Sequence, residues 1–524
     1  MSGANPIPSG FTAVIERLAS GPFGEREAWR FEDEAVSFAE LRDRAYSVAN
    51  GLAAAGVKRG DRVAVLLRNC MEWVELFHGF AEAGAVCTPV NVLLRPAEIA
   101  YLCEDAQIDA IVVDPQGVEA LERSGVRPSL VIAVGGARPE IPGARVVDYA
   151  QLRAGAPEPN PDPPGRDDIL VLYYSSGTTG QPKAAVHTHE NIVWNSFAQI
   201  VDVGMTPEDT FLVVPSFSWA AGFHSMTLAC SFAAGRCVVL PTGGMTVDRI
   251  VDAARATGAT RTFMVPTLLR QLLASPDCLE RVRDSKLRWI ITGGEPVPRA
   301  MMEGLLAALP ECAFVQGYGM SEFPTLAAVL RPEHAVERAG SAGRATAGCR
   351  IAVQPPGGEI ADRGEGELLL RSRATMVGYW NRPQETAEAF ADGWFHTGDV
   401  GRIDEEGFLT ITGRTKDMII SGGLNVYPSE AEAVILRMEG VAEAAVVGLA
   451  DDRLGEVPVA VVVGSGVDPE AIVAGCREAL ATYKAPKRVW VRDEPLPRNA
   501  NGKVFKRELR PWVADRAAAE ERAG

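Results

Sequence analysis

An apolar run at residues 169–174 opens directly onto Ser175, Ser176, Gly177, Thr178, Thr179, Gly180, Gln181, Pro182 and Lys183. That junction constrains the chain more than any other segment. Glycines let successive backbone N–H groups turn toward one point. The hydroxyls add donors, and the lysine adds a mobile point charge for phosphate oxygens. A polyphosphate cradle uses all of these groups, whereas a plain surface turn needs neither their order nor the Pro182-Lys183 ending. It is not a Walker A loop: Ala184 follows the lysine where Ser or Thr belongs, and Gly180 is not adjacent to the lysine. The chain is expected to handle ATP by another geometry.

The segments around this loop predict the fold class. Residues 61–67 are apolar, 71–83 have helical periodicity, and 86–90 are apolar again. Residues 96–104 read as a helix opened by proline, and 110–113 as a buried strand. This is the grammar of βαβ units and a doubly wound sheet. A Pro-rich connection at 156–164 precedes the loop. A second α/β run follows, through 211–214, 236–240, 247–257 and 262–265, then 288–292 into Gly293-Gly294. From about Gly364 short strands separated by Gly and Asp suggest a small barrel-like subdomain. After Arg414 the texture changes again, to strands at 441–448, 457–463 and 489–491 and helices at 428–438 and 469–481. Residues 514–524 read as a frayed helix. The expectation is a large α/β N-terminal domain over 1–415 and a small mobile α+β domain over 416–524. The large domain would hold two doubly wound sheets and the barrel-like subdomain.

At 524 residues and a net charge of −16, the chain can bury a large core, and its charge disfavours nonspecific binding to nucleic acid or anionic membrane. Neither a signal peptide nor an apolar stretch of the ~18 residues that span a bilayer is visible. Nine scattered cysteines, never paired as C-x-x-C, read as small buried hydrophobes of a cytoplasmic protein. His187 and His189 lack a cysteine or carboxylate at ligand spacing, so a metal pair there is not expected.

Four further clusters carry chemistry. Gln316, Gly317, Tyr318, Gly319, Met320, Ser321 and Glu322 give a ring, a hydroxyl and a carboxylate on one Gly-flanked turn. A nucleotide site needs a surface to stack on a base, a hydroxyl for phosphate and a hard oxygen for Mg²⁺. The segment 394–400 places Asp399 where a carboxylate can bind both ribose hydroxyls. The segment 413–423 offers Arg414 and Lys416, then Gly422 and Gly423, beside which a thin substrate can pass. The segment 497–506 puts Lys503 on a Gly-containing loop. Each cluster alone has a bland reading; five in one order do not.

In that order they resemble the adenylate-forming superfamily of acyl-CoA synthetases, luciferases and carrier-protein adenylation domains, from about Phe38 to Leu509. The resemblance implies that residues 175–183 wrap the β- and γ-phosphates of ATP. Tyr318 would stack on adenine beside Gly294, Glu295 and Pro296, Ser321 would contact the α-phosphate, and Glu322 would bind Mg²⁺. Asp399 and Arg414 would hold the ribose, Lys416 would be the hinge, and Lys503 the catalytic lysine of adenylation. Gly422 and Gly423 would face the pantetheine tunnel. The implied reaction activates a carboxylic acid as acyl-AMP, then transfers it to coenzyme A with release of AMP and pyrophosphate. The alternative is an adenylating enzyme that passes acyl-AMP to a carrier protein or another acceptor.

The sequence departs from the family pattern at three places. Ala184 replaces a glycine, Ser218 stands at the gapless match of a gating histidine, and Ile420 replaces a second hinge-flanking lysine. For the acid, Trp219, Ala220, Gly222, Phe223 and Met226 suggest a roomy hydrophobic pocket, and core packing explains the same residues equally well. Fatty, aromatic and polycyclic acids all remain open at this point.

Overall fold

The computed structural model describes residues 10–175, 181–295, 297–422, 424–498 and 504–523. Ser176, Gly177, Thr178, Thr179, Gly180, Pro296, Gly423 and Lys503 therefore lie outside the described residues. Among those described, two large sheets face a shared set of helices. In the first sheet, Glu27–Phe31, Arg236–Val239, Thr210–Val213, Arg261–Phe263, Trp289–Gly293 and Ala313–Met320 run parallel in that spatial order. In the second, Ile169–Ser175, Val86–Pro89, Arg62–Leu66, Ala110–Val113, Leu130–Ala133 and Arg145–Asp148 do the same. Strands buried on both faces explain why they read as unbroken apolar runs rather than alternating ones.

Local chemistry sets where the helices begin and end. The helix Phe38–Ala54 opens on a reciprocal capping box: Glu40 N–H donates to Ser37 Oγ at 3.1 Å, and Ser37 N–H to Glu40 Oε2 at 2.8 Å. The helix Met71–Ala83 stops at Gly84, which takes the left-handed conformation. Between the sheets Trp29, Trp73, Phe77, Phe217 and Phe223 form a buried aromatic cluster, with Trp29 and Phe223 stacked at 5.8 Å between centroids.

A third, antiparallel sheet contains Cys349–Gln354, Gly364–Ser372, Trp394–Ile403 and Leu409–Arg414. It is the subdomain the Gly- and Asp-spaced strands predicted. The C-terminal sheet contains Ile419–Ser421, Leu424–Val426, Val441–Asp451, Gly455–Gly464 and Val489–Val491. Its side chains alternate: Val446, Ala460 and Val462 pack under the helices Pro428–Ile435 and Pro469–Ala479, while Ala445, Val459 and Val461 face the helix Lys506–Ala523.

Two sequence expectations need correction. The last helix is not a frayed tail over 514–524: it begins at Lys506 and runs through Pro511. Leu509, Val513 and Ala517, at a spacing of four, bury its face against the sheet. Residues 316–320 are not a turn but the end of a strand, Ala313–Met320, which turns at Ser321 and Glu322 into Phe323–Leu330. Gly319 permits this, because a Cβ there would lie 1.2 Å from the Thr325 carbonyl oxygen. No helix among the described residues is long and apolar enough to cross a membrane.

Candidate active site

The parallel strands Trp289–Gly293 and Ala313–Met320 are neighbours in exact register, Thr292 beside Gln316 and Gly293 beside Gly317. Their carboxyl ends therefore deliver Gly294, Glu295 and Tyr318 to one edge, where open α/β sheets bind ligands. Gly294 and Glu295 are exposed, and nothing crowds the Cα of Gly294. Gln316 ties this edge together: its Oε1 accepts from Val297 N–H at 3.1 Å, and its Nε2 donates to the Ser341 carbonyl at 3.0 Å. Both ends of that side chain bind protein backbone, so Gln316 shapes the site.

Tyr318 reaches across to the third sheet. Its hydroxyl donates to Asp399 Oδ2 at 2.6 Å, and Arg414 Nε donates to Asp399 Oδ1 at 2.9 Å. Asp399 and Arg414 are direct partners on adjacent antiparallel strands, which fixes the pair through the backbone. Asp399 is buried, held where Thr397 Oγ1 accepts its N–H at 3.0 Å. The Asp399 charge holds Arg414 above its ordinary pKa, while burial and the same carboxylate push the Tyr318 hydroxyl up. The tyrosine stays a neutral donor and the arginine stays charged. A carboxylate flanked in this way is a ready acceptor for sugar hydroxyls.

On the other side, Glu322 Oε1 accepts from Tyr379 Oη at 3.2 Å. The Tyr379 ring lies 5.2 Å from Lys183 Nζ, and Lys183 pairs with Glu385 at 3.9 Å. Residues 376–379 stitch these pieces together. Met376 N–H donates to the Glu322 carbonyl at 2.9 Å, and Gly378–Tyr379 pairs antiparallel with Lys183–Thr188. Ser175 and Lys183 are directly paired at the mouth of the hairpin that carries the loop. Tyr101 Oη donates to the Pro182 carbonyl at 2.9 Å, and Arg382 bridges Asp105 and Glu385 nearby. Tyr379 escapes a motif-based reading; its only signal is an aromatic after glycine in the stretch before Pro383.

Ser321 is held from below, where the buried His187 Nε2 donates to its carbonyl at 2.7 Å. Burial lowers the pKa of His187 to about 4, so the ring is neutral. His189, two residues on, has no hydrogen-bond partner at either ring nitrogen among the described residues. Of the described side chains, Asp248, Asp277 and Cys278 make the one three-group cluster of metal-ligand type. Arg281 occupies it, pairing with Asp248 at 2.5 Å and Asp277 at 2.7 Å.

Other sequence-predicted residues fall elsewhere. Lys416 is exposed in the turn between Leu409–Arg414 and Ile419–Ser421, and its carbonyl accepts from Arg510 Nη2 at 3.4 Å. Gly422 is exposed in a left-handed conformation, its N–H bonded to the Leu454 carbonyl at 2.8 Å. In the expected acid pocket, Trp219 is half-buried. Phe223 belongs to the aromatic core, and a Cβ on Gly222 would meet the Ser216 carbonyl oxygen at 1.9 Å. For these two residues the packing alternative accounts for the geometry.

Residues 16–380 match the model of the AMP-binding enzyme family, and residues 430–503 match that of the AMP-binding enzyme C-terminal domain. The chain belongs to the AMP-binding enzyme family. It is 37% identical over 494 residues to a long-chain-fatty-acid–CoA ligase, FadD13, of Mycobacterium tuberculosis, covering 91% of this chain and 93% of that one. It is 36% identical over 488 residues to a feruloyl-CoA synthase from an Amycolatopsis species, covering 92% and 95%. Among solved structures, it superposes on the o-succinylbenzoate coenzyme A synthetase of Bacillus subtilis in complex with ATP and magnesium ion. That match has a TM-score of 0.81 and 29% identity, and covers 95% of this chain and 98% of the other.

Proposed function

We infer that this protein is an AMP-forming acid–thiol ligase that joins a hydrophobic carboxylic acid to coenzyme A through an acyl-adenylate. The observation that carries the reading is the convergence of Tyr318, Asp399 and Arg414 with Glu322, Tyr379 and Lys183 around one sheet edge. One group suits a nucleoside, the other a polyphosphate, and Ser321 joins them. Relatives named for fatty and aromatic acids support the class of substrate.

In the first half-reaction a carboxylate oxygen of the acid attacks the α-phosphorus of ATP, and pyrophosphate leaves. Lys183 and the loop residues 175–180 would hold the departing phosphates, while Tyr318 would stack on adenine and Asp399 would accept the ribose hydroxyls. Glu322 is a half-buried carboxylate oriented by Tyr379, a hard-oxygen donor that fits Mg²⁺. When bound there with the nucleotide, Mg²⁺ would neutralise phosphate charge. Lys503 would bridge carboxylate and α-phosphate, stabilising charge that builds during attack.

In the second half-reaction the thiol attacks the acyl carbon and AMP leaves. We place the domain boundary after residue 415 and the hinge at Lys416, so that rotation removes Lys503 and brings Gly422 and Gly423 to the thiol path. The change of sheet between Leu409–Arg414 and Ile419–Ser421 supports that boundary. A cytoplasmic setting is supported by nine cysteines, all free thiols. The test is a panel of acids scored for AMP release with and without coenzyme A. Acid-dependent AMP release that requires coenzyme A is expected. Turnover independent of coenzyme A, or no acid activated, would overturn the reading.

A further inference from the structure

Three rings meet beneath Ser321, and together they leave four buried polar atoms unpaired. Tyr173 lies on the strand Ile169–Ser175, His187 on the strand Lys183–Thr188, and His224 caps the short helix Ala220–Phe223. Their exposures are 3%, 0% and 1%. The Tyr173 and His224 rings meet edge to face at 5.1 Å, and Tyr173 and His187 lie 6.2 Å apart. Among the described residues, Tyr173 Oη, His187 Nδ1 and both ring nitrogens of His224 have no hydrogen-bond partner. Native interiors pair nearly all such atoms, so a polar occupant would complete these four on their adjoining rings.

The place and the chemistry identify that occupant. His187 is joined to Ser321 at the reaction centre, Tyr173 stands two residues before Ser175, and His224 ends the segment 215–224 expected to line the acid pocket. Phe77 and Phe223 pack around His224, at 5.4 and 5.6 Å, so the surroundings of these rings are apolar. Resting on the acid–thiol ligase reading, we propose that Tyr173, His187 and His224 form a polar recess of the acid pocket. It selects carboxylic acids that bear a neutral hydroxyl or carbonyl on an apolar body.

His187 donates through Nε2 to the Ser321 carbonyl, which leaves Nδ1 of the neutral ring as an acceptor. A substrate hydroxyl supplies the missing donor. His224 offers one donor and one acceptor, and Tyr173 offers a hydroxyl, so a carbonyl finds donors here as well. Burial keeps all three groups neutral, which disfavours a second carboxylate at this spot. A site built to hydrogen-bond a substrate hydroxyl rejects the analogue that lacks it, because its own buried groups are then left unpaired.

The experiment measures ATP–pyrophosphate exchange with matched pairs of acids: cinnamic against 4-hydroxycinnamic, and decanoic against hydroxydecanoic acids substituted at several positions. The expected result is at least one pair in which the hydroxylated member has a kcat/KM about 10-fold or more higher. Tyr173→Phe and His224→Phe should each shrink that ratio severalfold without abolishing exchange with the unsubstituted acid. Ratios near one in every pair with wild-type enzyme, as an ordered water filling the recess would give, overturn the proposal whatever the variants do. A ratio unchanged in two folded variants overturns it too. Failure of every acid to support exchange would instead sink the ligase reading on which the proposal stands.

Discussion

The proposed nucleotide side and the proposed acid side of this site are built on opposite terms. On the nucleotide side several described charged groups already have protein partners: Asp399 with Tyr318 and Arg414, Glu322 with Tyr379, and Lys183 with Glu385. On the acid side Tyr173, His187 and His224 carry unpaired atoms in an otherwise apolar core. The contrast teaches how one enzyme divides its labour. Groups that serve an invariant ligand are preorganised by mutual contacts, so little rearrangement accompanies binding. Groups that serve a variable ligand are left open, and the ligand completes them.

Four substitutions can break or sharpen that contrast. Lys503→Ala should have the largest effect, lowering acyl-AMP formation by roughly 10²–10³-fold or more while thioester formation from supplied acyl-AMP stays largely intact. Single-turnover assays of the two half-reactions check this, and equal loss of both would remove Lys503 from its assigned step. Asp399→Asn should follow, raising KM for ATP by about 10–100-fold because a charged acceptor is lost and Arg414 is left without its partner. A rise in KM for the acid instead would erase the distinction between the two sides.

Tyr379→Phe should cost less, about 3–10-fold in kcat/KM for ATP, since the ring under Lys183 remains and only the hydroxyl on Glu322 is lost. An enlarged Mg²⁺ requirement for half-maximal rate would mark it as a positioning residue; an unchanged one would contradict that role. Smallest in catalysis is Gly222→Ala. Its added methyl collides with the Ser216 carbonyl oxygen, so a stability loss of about 1–3 kcal/mol is expected, seen as a lower melting temperature. Unchanged stability with altered acid preference would return Gly222 to the pocket wall.

The same contrast explains what the sequence makes legible. Motifs on the nucleotide side are short and ordered because backbone turns and fixed charges must meet one ligand. Gly317, Gly319 and Glu322 share a segment, and Asp399 and Arg414 are brought together by strand register. The doubly wound sheets were legible for a similar reason, since strands covered on both faces are continuous apolar runs. Tyr379 was not legible, because its role depends on pairing with the strand Lys183–Thr188 nearly two hundred residues away. The recess was illegible too. Tyr173, His187 and His224 look like core aromatics in sequence, and only unmet hydrogen bonds in three dimensions separate them from Phe223. The final helix starts earlier than the Ala-, Glu- and Arg-rich stretch at 514–524 marks, because the i, i+4 face of Leu509, Val513 and Ala517 holds it on the sheet.

The central claim is that the acid's carboxylate attacks the α-phosphorus of ATP. Turnover with an acid labelled with ¹⁸O in both carboxylate positions, followed by mass analysis of the products, tests it directly. The account predicts one labelled oxygen in AMP, one retained in the thioester and none in pyrophosphate. Label in pyrophosphate or free phosphate, with AMP unlabelled, would contradict it.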